Sequence, residues 1–178
     1  MKIASSGYAY FLAMLVTLLA LNFFSTGGLT NAQQTQYFSC KNKQGIWTTV
    51  MATKQGERNL IHWDSEYFKK SGYTPKTRCN QVTGRLNNYF DDTSEQSISS
   101  GRMNNLPVIC ITSSNGGSCQ KLLYTLKPDQ DGERAIDLLI QHTSSDYNPP
   151  TLREGSCHTY LSLNALLEGK PKAKKICN

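Results

Sequence analysis

The chain has 178 residues, a net charge of +6 and 38% hydrophobic residues. That is enough for one domain with its own core. The positive excess is moderate and no recognition motif accompanies it, which argues against nucleic acid as a partner.

Met1-Lys2-Ile3 precedes an apolar run from Tyr8 to Phe24, and Thr30-Asn31-Ala32 offers small residues ahead of a cut before Gln33. A charged start, an apolar middle and a small-residue cut site are the parts of a signal peptide. The run falls just short of the ~20 residues of a membrane span. Residues 1–32 therefore read as a signal peptide or as an N-terminal membrane anchor.

Tyr37 to Cys40, Trp47 to Met51 and Asn59 to Trp63 are rich in strand formers, with Gln55-Gly56-Glu57 suited to a hairpin connection. Asp64 predicts a short helix from Ser65 to Lys70, ended by Gly72. Thr74-Pro75 is the best helix start in the chain. Behind it Cys79, Val82, Leu86 and Tyr89 or Phe90 share one stripe, and Asp91-Asp92 ends the helix as a solvated turn.

Ile98 to Met103 and Leu106 to Thr112 predict a hairpin about Asn104-Asn105, because Asn tolerates the left-handed conformation. The run Pro107 to Ile111 is apolar on both faces, as in a covered central strand. Lys121 to Leu126 returns. A four-residue loop, Ser113 to Gly116, would set Cys110 directly opposite Cys119. Asp129 or Asp131 caps a further helix running to about His142. Ser144 to Pro150 reads as a loop, and a short segment, Leu161 to Leu167, follows in the tail.

The expected fold is α+β: an antiparallel sheet of about five strands against two or three helices, braced by disulfides. The main helix and the later one lie on the same side of that sheet. Residues 33–143 form the domain, and residues 144–178 form a C-terminal extension with its own cysteine pair.

The six cysteines are Cys40, Cys79, Cys110, Cys119, Cys157 and Cys177, all beyond the export segment. An even count in an exported chain reads as disulfides, with reduced buried cysteine as the competing reading. Six cysteines allow ~15 pairings. The expected set is Cys40–Cys79, Cys110–Cys119 and Cys157–Cys177. The first ties the leading strand to the main helix, and the last closes the extension on itself.

No reaction motif is present. His62, His142 and His158 lack metal-ligand spacing, and no Gly-x-Ser-x-Gly elbow or phosphate loop appears. No catalytic residue, metal or cofactor is therefore expected. Tyr67, Tyr73, Tyr89, Phe90 and Tyr124 read as core aromatics. Arg78 and Arg85, seven apart on one helix, share a face. With Arg102 they are candidates to contact a carboxylate, a sulfate or a partner, although internal ion pairs would explain them equally well. Lys170, Lys172, Lys174 and Lys175 could touch an anionic membrane surface, against the alternative of a solvated tail.

Several blocks together carry a resemblance. They are Trp63-x-x-x-Tyr67-Phe68, Gly72-Tyr73-Thr74-Pro75-x-x-Arg78-Cys79, Val82-x-x-Arg85-Leu86, Gly101 to Asn104, Pro107 to Cys110, Gly117-x-Cys119 and Leu122-Leu123-x-Thr125-Leu126-Lys127-Pro128. In this order they resemble the circadian oscillating protein domain family of cyanobacteria, over roughly Tyr37 to His142. The resemblance implies an exported or membrane-associated cyanobacterial protein and brings no catalytic residues. A non-enzymatic interaction or structural module with an unknown protein or membrane-surface partner is the expected function. An extracytoplasmic enzyme, such as a hydrolase, is the alternative. A cleft with a convergent His or carboxylate pair would favour the enzyme, and a shallow surface of arginines and aromatics the module.

Overall fold

The computed structural model describes residues 36–90, 95–113, 115–143 and 157–177. The export segment, the Asp91-Asp92 turn and the loop from Ser144 to Pro150 lie outside the described residues. Eight strands and three α-helices follow in the order β1 (Phe38–Lys43), β2 (Ile46–Thr53), β3 (Gly56–Trp63), α1 (Pro75–Tyr89), β4 (Ser97–Met103), β5 (Leu106–Thr112), β6 (Lys121–Thr125), α2 (Gly132–Thr143), β7 (Cys157–Ser162), α3 (Leu163–Leu167) and β8 (Ala173–Cys177).

The class is α+β, but the strands divide differently from the expected single sheet. They form a three-stranded sheet, β1-β2-β3, and a five-stranded sheet in the order β6-β5-β4-β7-β8. All pairings are antiparallel. The two longer helices each reach both sheets. α1 packs on β1, β2 and β3 and on the edge strand β6, whereas α2 packs on β4, β5 and β7 and as closely on β3. One apolar core still joins everything. It runs from Phe38, Met51, Leu60 and Trp63 through Leu86 and Ile109 to Ile136, Leu161 and Leu166.

Local chemistry explains the elements. Thr74 accepts the Thr77 amide at 3.2 Å ahead of Pro75, which starts α1. Asn104 and Asn105 adopt φ of 51° and 62°, the left-handed pair that a two-residue hairpin requires. Val108 to Thr112 are buried at every position, as expected of a strand held between β4 and β6. Asp131, not Asp129, caps α2 by accepting the Glu133 amide at 2.9 Å. The helix expected from Ser65 to Lys70 is only a 3-10 turn, Lys69–Ser71, which no side chain caps and which Gly72 ends at φ 84°.

Three disulfides close, Cys40–Cys79, Cys110–Cys119 and Cys157–Cys177, with Cα separations of 5.7, 5.5 and 4.0 Å. The middle one forms by another route than the expected register. A bulge at Ile109/Cys110 sets Cys110 opposite Leu122, not Cys119. Cys119 instead lies over β4, where a Cβ on Gly101 would fall 2.5 Å from its Sγ. The segment before β6 is thus strapped across the sheet face, and glycine leaves the room for it.

The C-terminal residues are not an appendage. β7 lies beside β4 within the five-stranded sheet, and Cys157 pairs directly with Cys177 across the β7–β8 ladder. Only Ser97↔Ser162 and Ile98↔Leu161 pair between β4 and β7. Beyond them side chains continue the attachment. Ser99 donates to the Thr159 carbonyl at 2.8 Å, and the Glu133 carboxylate accepts the Thr159 amide at 2.8 Å.

Candidate functional site

α1 carries Arg78, Val82 and Arg85 at positions i, i+4 and i+7, which puts them on one stripe. Beside that stripe runs a groove of about 280 Å³. Phe68 and Ser71, from the turn ended by Gly72, and Tyr73 just after it form one wall. Leu122, Tyr124 and Thr125 of the edge strand β6 form the other, with Leu106 from the β4–β5 hairpin. Tyr73 and Leu106 each remain 47% exposed, large apolar groups left uncovered at the rim.

Arg78 is laid on aromatic rings. Its guanidinium sits 4.7 Å from the Trp63 ring centre and 5.2 Å from that of Phe68, and it donates to the Ser65 carbonyl at 3.3 Å. The bed beneath it is fixed. The Trp63 indole donates to Thr49 Oγ1 at 2.9 Å, and Thr49 contacts the Thr83 hydroxyl at 3.3 Å. Trp63 also meets Tyr124 edge-on at 5.3 Å. Burial pulls the Arg78 pKa below the usual arginine value, opposed by Tyr124 and Asp64. An arginine so shifted stays charged. Burial likewise pushes the Tyr124 hydroxyl above the usual tyrosine range, and Arg78 opposes that shift.

Arg85 donates to the Leu123 carbonyl of β6 at 2.7 Å. Among the described residues neither arginine forms an ion pair, and the groove lining holds no carboxylate and no histidine. Further lysines lie on rings: Lys121 over Tyr89 at 5.3 Å, Lys127 over Tyr67 at 5.9 Å and, in a separate depression, Lys76 over Trp47 at 5.2 Å.

Two other depressions differ in charge. One of about 500 Å³ beside Trp47 contains Asp64, Glu66, Lys69 and Lys76, with Lys69 paired to Glu66 at 3.1 Å. One of about 400 Å³ beside β8 contains Glu95 and Glu168 with Lys172 and Lys174. Both balance their charges internally, whereas the arginine groove does not.

The structure brings Arg78 and Arg85 together and leaves Arg102 out. Arg102 is exposed at the end of the β4–β5 hairpin, outside the groove lining, and donates to the Asn105 carbonyl at 2.6 Å. The internal ion pairs that could have explained Arg78 and Arg85 are not found among the described residues. Two aromatics expected in the core are outside it, Tyr67 at 58% and Tyr73 at 47% exposed. Tyr89, Phe90 and Tyr124 do pack against the core. Sequence reasoning missed the bed of Trp63 and Phe68 beneath Arg78, although the seven-residue spacing of the arginines marked the right helix face.

Ser100, Glu133 and His158 lie together and include the residue types of a nucleophilic triad. Their order is wrong for one. The carboxylate, not the imidazole, touches the serine hydroxyl, and His158 Nδ1 lies 3.4 Å from the same Glu133 oxygen. In a Ser-His-Asp/Glu triad the imidazole sits between the hydroxyl and the carboxylate. This cluster instead joins α2 to β4 and β7. All six cysteines are bonded, and among the described residues no group of three or more His, Cys, Asp or Glu is placed to hold a metal.

No curated protein and no solved structure matches the chain. The sequence profile of the family described as circadian oscillating protein COP23 matches residues 37–168. That span runs through β7 and α3 and takes in Cys157, which the resemblance read from the sequence alone had left outside. The match covers most of the chain, including both walls of the arginine groove, and the chain therefore belongs to the circadian oscillating protein COP23 family.

Proposed function

We propose that this protein is an exported, disulfide-stabilised, non-enzymatic interaction module, and that it works by holding a partner in the groove between α1 and β6. One observation carries the reading. Arg78 and Arg85 line an apolar groove that contains no carboxylate, and among the described residues neither forms an ion pair. A partly buried cation left unneutralised is costly unless something completes it. The groove offers charge and aromatic surface but no acid or base, which suits recognition and not proton transfer.

The three disulfides support an exported location, because such bonds persist in oxidising compartments. The periplasm, the lumen of an internal membrane system or the medium would serve. Among the described residues no helix is long and apolar enough to cross a membrane.

The test has two parts. Intact mass from the native host, with and without reduction, should show loss of residues 1–32 and a gain of six hydrogens for the six bonded cysteines. A photoreactive residue at Tyr73, on the groove rim, should crosslink a protein partner in the host, and one at the exposed Leu138 of α2 should not. Free thiols would refute the oxidising location. Equal crosslinking at both positions, or none at Tyr73, would refute the groove as the working surface.

A further inference from the structure

We infer that the partner element held in this groove is a short acidic peptide segment, with carboxylates on Arg78 and Arg85 and apolar side chains against Tyr73 and Leu106. This rests on the reading of the groove as a partner site.

Charge is the first argument. A guanidinium has ~5 N–H donors. Among the described residues Arg78 and Arg85 each make one hydrogen bond, and both acceptors are neutral backbone carbonyls. The remaining donors are left for a ligand, and Asp64, the carboxylate that acts on Arg78, lies outside the groove lining. The planar fork of arginine matches a carboxylate with two parallel bonds. The rings beneath Arg78 hold its guanidinium in place, so little freedom is lost when that fork is used.

Spacing is the second argument. Seven residues at 1.5 Å rise separate the two arginine Cα atoms by about 10 Å along α1. That is about three residues of extended chain at ~3.3 Å each. A segment bearing two carboxylates with residues between them reaches both cations, whereas one sulfate or phosphate group meets them singly. The intervening residues then face a floor of Val82 and Tyr124 and the uncovered Tyr73 and Leu106. Uncovered apolar side chains beside unpaired arginines are the composition of a recognition patch. A flat anionic lipid surface would use the charges and leave a recessed groove of about 280 Å³ unfilled.

The probe is a panel of blocked fluorescent peptides, Glu-X-X-Glu with X as Leu, Val, Phe or Tyr, each with its Gln-X-X-Gln counterpart. Anisotropy is read on the disulfide-intact protein. At least one acidic peptide should bind about tenfold more tightly than its amide counterpart, as expected for losing charge-assisted bonds. Rising salt should weaken it. Arg85→Gln, which leaves the Trp63 bed untouched, should lower the affinity by a similar factor. Arg78→Lys, which keeps the charge and loses the fork, should lower it less. If no acidic peptide outperforms its counterpart, or if free succinate or inorganic sulfate binds as tightly as the best peptide, the inference is overturned.

The two readings fail separately. A Tyr73 crosslink that survives Arg85→Gln keeps the interaction module and removes the acidic segment. An absent crosslink removes the module whatever the peptides do.

Discussion

Two regions of this molecule are basic, and they differ in how the charge is held. At the α1–β6 groove, Arg78 lies on Trp63 and Phe68, Arg85 caps a strand carbonyl, and no carboxylate lines the space between. Along β8, Lys174 and Lys175 are exposed on an edge strand and Lys170 and Lys172 are exposed just before it, while Glu95 and Glu168 line the same depression as Lys172 and Lys174. Lysines on an edge strand have a sufficient structural reason to be there, since they keep the edge from pairing with another chain. An arginine laid on Trp63 and Phe68 has no such reason. Net charge ranks the two regions alike. Burial and the lack of a carboxylate in the groove lining separate them.

The disulfides offer the largest way to sharpen that contrast. Cys40–Cys79 ties β1 to the helix that carries the arginines, across a separation of 39 residues, and Cys157–Cys177 ties β7 to β8 across 20. By loop entropy, removal should cost about 4 and about 3.3 kcal/mol. The Cys40→Ala/Cys79→Ala protein should lose urea stability and groove affinity together, because Cys79 directly follows Arg78. The Cys157→Ala/Cys177→Ala protein should lose stability and keep its acidic-peptide affinity within about twofold, as expected for distant sites. Equal loss of affinity in both would mean that the groove and the C-terminal strands are coupled, and the two regions would have to be treated as one.

A smaller effect is expected at Glu133, which fixes the lysine-bearing hairpin to the body. Its carboxylate accepts the amide of Thr159, a buried residue, and the Ser100 hydroxyl. Glu133→Ala leaves that amide without an acceptor, at a cost of about 1–3 kcal/mol. Hydrogen exchange should show β7 and β8 opening while α1 and β6 stay protected. Uniform loss of protection would show that the hairpin and the groove open as one unit.

Local chemistry was readable where it is local. Thr74-Pro75 announced α1, and Asn104-Asn105 announced the β4–β5 turn at positive φ. The partition into two sheets was not readable, because alternation along a strand reports which face is buried and not which strand lies beside it. β7 joins β4 through two ladder pairs, one serine and one carboxylate on a distant helix, and this short, largely polar attachment leaves no pattern that names the partner strand. The three disulfide pairs match those read from the sequence, yet the expected register behind Cys110–Cys119 was wrong. A bulge shifts β6, and a strap over Gly101 brings Cys119 back. In the groove, the shared face of Arg78 and Arg85 follows from helix spacing. Phe68, Trp63 and Tyr124 come from a turn and from strands of two different sheets, so only the folded chain assembles them.

The smallest effect on stability belongs to the lysines. Replacing Lys170, Lys172, Lys174 and Lys175 together by Gln should change stability by no more than about 0.5 kcal/mol, since all four are exposed. If this strand meets an anionic membrane, each lysine near the surface adds roughly 1 kcal/mol. Cosedimentation with vesicles rich in anionic lipid should then be visible at low salt, fade at physiological salt and vanish in the fourfold variant. Acidic-peptide binding should survive the same substitutions, because the groove holds its own charges. If the fourfold variant lost peptide binding as fully as Arg85→Gln, the peptides would be reading net charge and not a site. The distinction between the two basic regions would then rest on geometry with no consequence for binding.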